Sequence, residues 1–142
     1  MAAPVWRVNA RTARRFLLLA AAAVFSAIAL ASLLMPHRMA RQLGYELTSV
    51  DALSEFRAVY VGVWLATAVL LIVAAVRVHS LLLGDLAALL ILGQTLGRIL
   101  SLAIDGVPSA RIWPFFALEL VGGVAILVIR PRIPSADPAG GA

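Results

Sequence analysis

Four apolar runs separated by short polar connections dominate the chain, over residues 16–35, 52–76, 81–104 and 113–129. Each is close to the ~20 residues that a helix needs to cross ~30 Å of hydrocarbon, so the pattern predicts an all-α membrane protein with four transmembrane helices. Connections two-to-three and three-to-four are short, which makes consecutive helices antiparallel neighbours in an up-down-up-down bundle. Residues 1–15 form a basic segment, 16–130 the membrane domain, and 131–142, rich in proline and glycine, a tail expected to be disordered. The first run resembles a signal peptide in its flanking arginines and its Ala29-Leu30-Ala31 site. Its apolar length exceeds that of a signal h-region, which favours a retained helix.

The polar connections carry their own signals. In PHRMARQLG, Pro36 opens a short amphipathic helix expected to lie on the membrane surface, with Met39 and Leu43 on one side and Gly44 ending it in the left-handed conformation. Thr48 and Asp51 have the spacing of a capping box for the second membrane helix. Asp105-Gly106-Val107-Pro108 closes the third. Pro114 fits the first turn of the fourth, beside Trp113 at the interfacial aromatic belt.

Charge fixes the expected orientation. With the N-terminus inside, Arg7, Arg11, Arg14, Arg15, Arg77, Arg130 and Arg132 are cytoplasmic, against Arg38, Arg41 and Arg111 outside. The positive-inside rule therefore puts both termini in the cytoplasm, as in a multi-pass protein of the cell (inner) membrane. The net charge of +5 reflects this flanking of apolar runs. It is not a basic patch interleaved with aromatics, so nucleic-acid binding is not expected. The chain has no cysteine, which removes thiolate catalysis, dithiol redox chemistry and cysteine-ligated metal. His37 and His79 fall in opposite loops, so they cannot form a metal site together; neither a metal nor a cofactor is expected.

The candidate chemistry lies inside the third and fourth runs. Gln94, Arg98, Ser101 and Asp105 form one polar stripe at helical spacing. It must face protein or water, because even a translocon scale charges ~2.5–3.5 kcal/mol for an arginine at mid-helix. Arg98 lies about 10 Å below the outer end of its helix and Glu119 about 9 Å below Trp113, at 1.5 Å per residue. The two charges meet at one level and are expected to pair, with Glu55 and Asp105 as further candidate partners. Asp105, at a helix C-terminus, calls for a cation such as Arg98, Arg57 or Arg111. In the second helix Glu55 is expected to point inward while Arg57 snorkels; Arg57, Tyr60 and Trp64 share a side that permits a cation–π contact. Gly62, Gly93 and Gly97, with the G-x-x-x-G spacing of the last two, and Gly122 and Gly123 are expected helix-packing positions, within one bundle or between two in a homo-oligomer. Asp85 is expected to be hydrated or paired with Arg77.

SEFRAVYVG, GQTLGRILSLAIDG and FFALELVGG together resemble bacterial four-helix membrane proteins catalogued as a domain of unknown function, within the wider DoxX-like group. The resemblance covers residues 16–130. It implies the same four-helix fold and directs attention to Glu55, Arg57, Tyr60, Arg98, Asp105 and Glu119, but it brings no established activity. Links of some DoxX-like proteins to oxidoreductase or quinone-associated complexes are fold-level analogy.

Several roles follow from these residues. The cluster either staples the bundle or lines a site. As a site it suits a non-enzymatic binder of an amphipathic ligand, such as a lipid, a quinone or an anionic metabolite, or an accessory subunit of a membrane complex. The alternative is an intramembrane acid–base enzyme, for instance an isomerase of a lipid or sterol-like substrate using Glu55 or Glu119. A proton-coupled exporter fits poorly, because the first membrane helix carries no charge.

Overall fold

The computed structural model describes residues 10–130, which are helical and contain no strand. The expectations for residues 1–9, for Arg132 and for the tail over 131–142 lie outside the described residues. The helices are α1 (Ala10–Leu34), α2 (Pro36–Gln42), α3 (Val50–Val76), α4 (Leu81–Ile104) and α5 (Trp113–Val128). Three of them, α1, α3 and α4, are long and apolar enough to cross a membrane, whereas α5 is apolar but shorter, at 16 residues. That composition is that of a helical membrane protein.

The helices pack as a ring. α1 lies along α3 and α4 along α5, while α3 meets α4 over a shorter length and α1 touches α5 least. The α1–α3 and α3–α4 seams are built from small residues, among them Ala22, Ala29, Ala68, Ala74, Ala87 and Ala88, all buried. Small side chains bring backbones close and multiply van der Waals contacts, the main cohesive force where lipid is as apolar as the core. Leu18, Leu71 and Ile126 fill the remaining space and are fully buried.

Several local details differ from the sequence expectations. α1 begins at Ala10, ahead of the apolar run that starts at residue 16. Arginine is a good helix former, and one of these arginines is held by the bundle itself: Arg14 falls in phase with Leu18, Ala22, Phe25 and Ala29 and is buried with them. The cap of α3 is Ser49, not Thr48: its hydroxyl accepts a hydrogen bond from the Ala52 N–H at 3.0 Å. α2 ends as expected, with Gly44 at φ +85° and the Tyr45 N–H donating to the Ala40 carbonyl at 2.9 Å, the closure of a Schellman turn.

The packing glycines also need correction. A Cβ at Gly123 would lie 2.6 Å from Leu92 Cγ, so that glycine does admit α4 against α5. Gly93, Gly97 and Gly122 have nothing near where a Cβ would stand, and at Gly62 the nearest atom is 3.9 Å away. Among the described residues no helix closes on those four, so the expectation of packing within one bundle fails for them. The glycine that sequence reasoning passed over is Gly84, where a Cβ would run into the guanidinium of Arg14.

α3 is interrupted by a π-helical stretch, Ala58–Val63. Such a stretch inserts one extra residue per turn and is frequent at functional sites. Here it sits between the more polar N-terminal part of α3 and its apolar remainder, and it carries Tyr60. Just beyond it, the Thr67 hydroxyl donates to the Val63 carbonyl at 2.8 Å, giving that oxygen a partner where the ladder is disturbed.

Candidate functional site

Arg98 of α4 and Glu119 of α5 form a two-pronged ion pair. Nε donates to Oε2 at 2.8 Å and Nη2 to Oε1 at 2.9 Å, the fork-on-fork geometry that makes arginine–carboxylate pairs strong and directional. The α4–α5 seam, closed below this level by Gly123 on Leu92, holds the two backbones close enough for direct contact. The partners are not equally covered: the Glu119 side chain is 8% exposed and that of Arg98 25%.

Arg98 lines a cavity of about 480 Å³, open to the outside, between α3 and α4. Gln94, Arg98 and Ser101 of the polar stripe line one wall, Tyr60, Trp64 and Thr67 of α3 the other, and Tyr45, Pro108 and Ile112 from the connections the outer mouth. Its far end is lined by Leu90, Thr67 and Gln94 and its mouth also by Val59 and Leu102, so polar groups and apolar side chains are mixed along its length. Glu119 borders a second, smaller cavity of about 140 Å³ on the far side of the pair, walled by apolar residues of α1 and α5 such as Ala21, Phe25 and Phe115.

Aromatic rings organise the α3 wall. Phe56 stacks on Tyr60 with centroids 4.6 Å apart, Tyr60 meets Trp64 at 5.2 Å, and Trp64 packs edge-on against Phe25 of α1 at 5.6 Å. The Tyr60 hydroxyl donates to that of Tyr45 at 3.3 Å, which ties the connection after α2 to the cavity mouth. This ladder explains two corrections. Phe56, not Glu55, takes the inward position in the first turns of α3, so Glu55 is exposed; Arg57 is exposed as well, and the stacking partner of Tyr60 is Phe56 rather than a guanidinium. Burying an aromatic ring is favourable where burying a lone carboxylate is costly.

Asp105 also departs from expectation. It accepts from the Ser101 hydroxyl at 2.9 Å, one turn back on the same helix, and stands exposed at the helix end instead of joining the arginine. Gln94, Arg98, Ser101, Tyr60 and Glu119 are thus brought together, while Glu55, Arg57 and Asp105 lie outside the cavity wall.

A second ion cluster sits at the opposite end of the bundle. Arg14 Nη2 lies 3.2 Å from Asp85 Oδ1 and donates to the Leu81 carbonyl at 3.2 Å; Arg130 Nη2 reaches Asp85 Oδ2 at 2.7 Å. Asp85 thus pairs with Arg14 and Arg130, not with Arg77. Arg14 is 1% exposed, and Gly84 supplies the space for its guanidinium. The cluster joins the start of α1, the start of α4 and the second residue after α5. An arginine ahead of a first membrane helix reads as a solvated topology signal; its phase with the buried stripe of α1 is the feature that distinguishes it from the exposed Arg11 and Arg15.

Comparison with known proteins yields one match. A family described as a domain of unknown function (DUF4345) matches residues 13–130. No curated protein and no solved structure matches the chain.

Proposed function

The chain belongs to the DUF4345 family, so its role has to be read from its own site, and we propose that it is a small multi-pass membrane protein that binds an amphipathic ligand beside Arg98. One observation carries the reading. Arg98 is engaged with Glu119 through Nε and Nη2, yet its side chain is 25% exposed and it lines a cavity whose wall mixes polar groups with apolar and aromatic side chains. An ion pair that only staples two helices needs no ligand-sized opening beside it, whereas one that meets a ligand needs an open face. An acid–base enzyme is less well supported, since Glu119 is held by Arg98 and Glu55 stands outside the cavity. The ligand-binding protein acts alone or as a subunit of a larger membrane complex. Membership of the wider DoxX-like group is part of the same proposal and concerns fold only.

The test is mass spectrometry of small molecules that accompany the full chain through purification in mild detergent. A stoichiometric species present with the wild type and absent from Arg98→Leu is the expected result. Bulk lipid alone in both samples would remove the binding role.

The same proposal includes four spans, with α5 as the last, in an inner membrane with both ends cytoplasmic. The Arg14–Asp85–Arg130 cluster supports antiparallel neighbours, because it gathers the starts of α1 and α4 and the end of α5 at one level. With no native cysteine, single reporters give a clean reading. Ser109→Cys should react with an impermeant maleimide on intact cells and His79→Cys only after permeabilisation. Labelling of both from one side would mean that α4 does not span.

A further inference from the structure

The cavity beside Arg98 has little charge to offer a ligand. Among the described residues Arg98 is the one cation on its wall, and its Nε and Nη2 already donate to Glu119. Glu119 is 7% exposed and faces Arg98 as its counter-charge. Near the mouth, Ser101 on the wall donates to Asp105, which places a second carboxylate beside the opening. A phosphate or carboxylate entering here would have to share one guanidinium with Glu119, or draw it away and leave a buried anion unpaired. Both are unfavourable.

An uncharged acceptor meets no such opposition. Arg98 Nη1 lies outside the two-pronged pair and carries two N–H groups. Tyr45 and Tyr60 share one hydrogen bond, so whichever donates, one hydroxyl proton remains to be given. Gln94 adds an amide, and the rings of Tyr60 and Trp64 offer apolar faces to a body extending toward Leu90. We infer that the ligand's head is uncharged and bears acceptor oxygens, as a carbonyl, ester or hydroxyl group on an apolar body. This rests on the reading of the cavity as a binding site.

Two probes with the same tetradecyl-length chain separate the possibilities: monomyristoylglycerol, uncharged, and tetradecylphosphate, anionic. Each is titrated against the full chain in detergent by native mass spectrometry. The uncharged probe should bind at least ~10-fold more tightly, and Arg98→Leu should weaken it several-fold without letting the phosphate bind, because Glu119 is left as an unpaired carboxylate. Glu119→Gln removes the competing carboxylate while keeping its shape, and should reverse the preference toward the phosphate. The double variant Tyr45→Phe/Tyr60→Phe leaves the ion pair untouched and removes the spare hydroxyl proton; it should weaken the uncharged probe several-fold, so the test stands even if Glu119→Gln fails to fold. Tighter phosphate binding by the wild type, lost in Arg98→Leu, would overturn the uncharged head while leaving the cavity a binding site. Equal binding of both probes, unchanged in Arg98→Leu, would overturn the binding site itself.

Discussion

Replacing Asp85 by alanine is expected to destabilise the folded chain by about 3 kcal/mol, the lower end of what breaking a buried ion pair costs, because it strands the guanidinium of Arg14. Arg14 is 1% exposed and cannot turn to water, while the Asp85 side chain is 28% exposed and partly hydrated, which keeps the expected loss at that lower end. Gly84→Ala attacks the same contact from the other side: its new methyl group would occupy the space of the Arg14 guanidinium. Both variants should unfold at clearly lower temperature in detergent, whereas Arg15→Ala, at an exposed position of the same helix turn, should not. The double variant Arg14→Leu/Asp85→Leu should recover most of the loss, as replacement of a whole buried pair by apolar side chains often does. Wild-type unfolding of Asp85→Ala would show that the cluster does not hold the bundle together.

The Arg98–Glu119 pair should respond asymmetrically. Arg98→Leu leaves the nearly buried Glu119 with no counter-charge and is expected to cost about 3–5 kcal/mol. Glu119→Leu leaves an arginine that already has an open face on the cavity, so a smaller loss of about 1–2 kcal/mol is expected. A double-mutant cycle, read by unfolding in detergent, should show strong coupling and a double variant more stable than Arg98→Leu. Equal losses from the two single variants would mean that the cavity gives Arg98 no alternative environment. Recovered stability without recovered ligand binding would separate stapling from recognition at one pair of residues.

These two clusters differ in how they could be read beforehand. Arg98 and Glu119 were legible because helix rise alone sets their depth, and two opposite charges at one level in neighbouring antiparallel helices have little choice of partner. Arg14 was not, because position ahead of an apolar run dominates the reading of an arginine, although its four-residue step to Leu18 marked it as inward. Glu55 was misjudged by weighing it only against Arg57, when the competitor for the inward position was Phe56 with its stack on Tyr60. Asp105 was matched to distant cations when a hydroxyl one turn back satisfied it. The four-run pattern anticipated the all-helical bundle, but the π-helical stretch at Ala58–Val63 has no period of its own, and Gly62 within it gave no distinguishing signal.

The inner cluster also sets an order in time. Arg14 and Asp85 are 71 residues apart and Arg130 follows Asp85 by 45, so at ~5–20 residues per second of synthesis Arg14 waits several seconds for its carboxylate. During that interval, in the proposed orientation, it sits as an unpaired cation among lipid headgroups, where it helps hold the first helix the right way round. Once α4 arrives, the same guanidinium is withdrawn from the surface and becomes part of the core. One side chain therefore serves first as an address and later as a rivet, and the chain cannot lock until its last helix has been made.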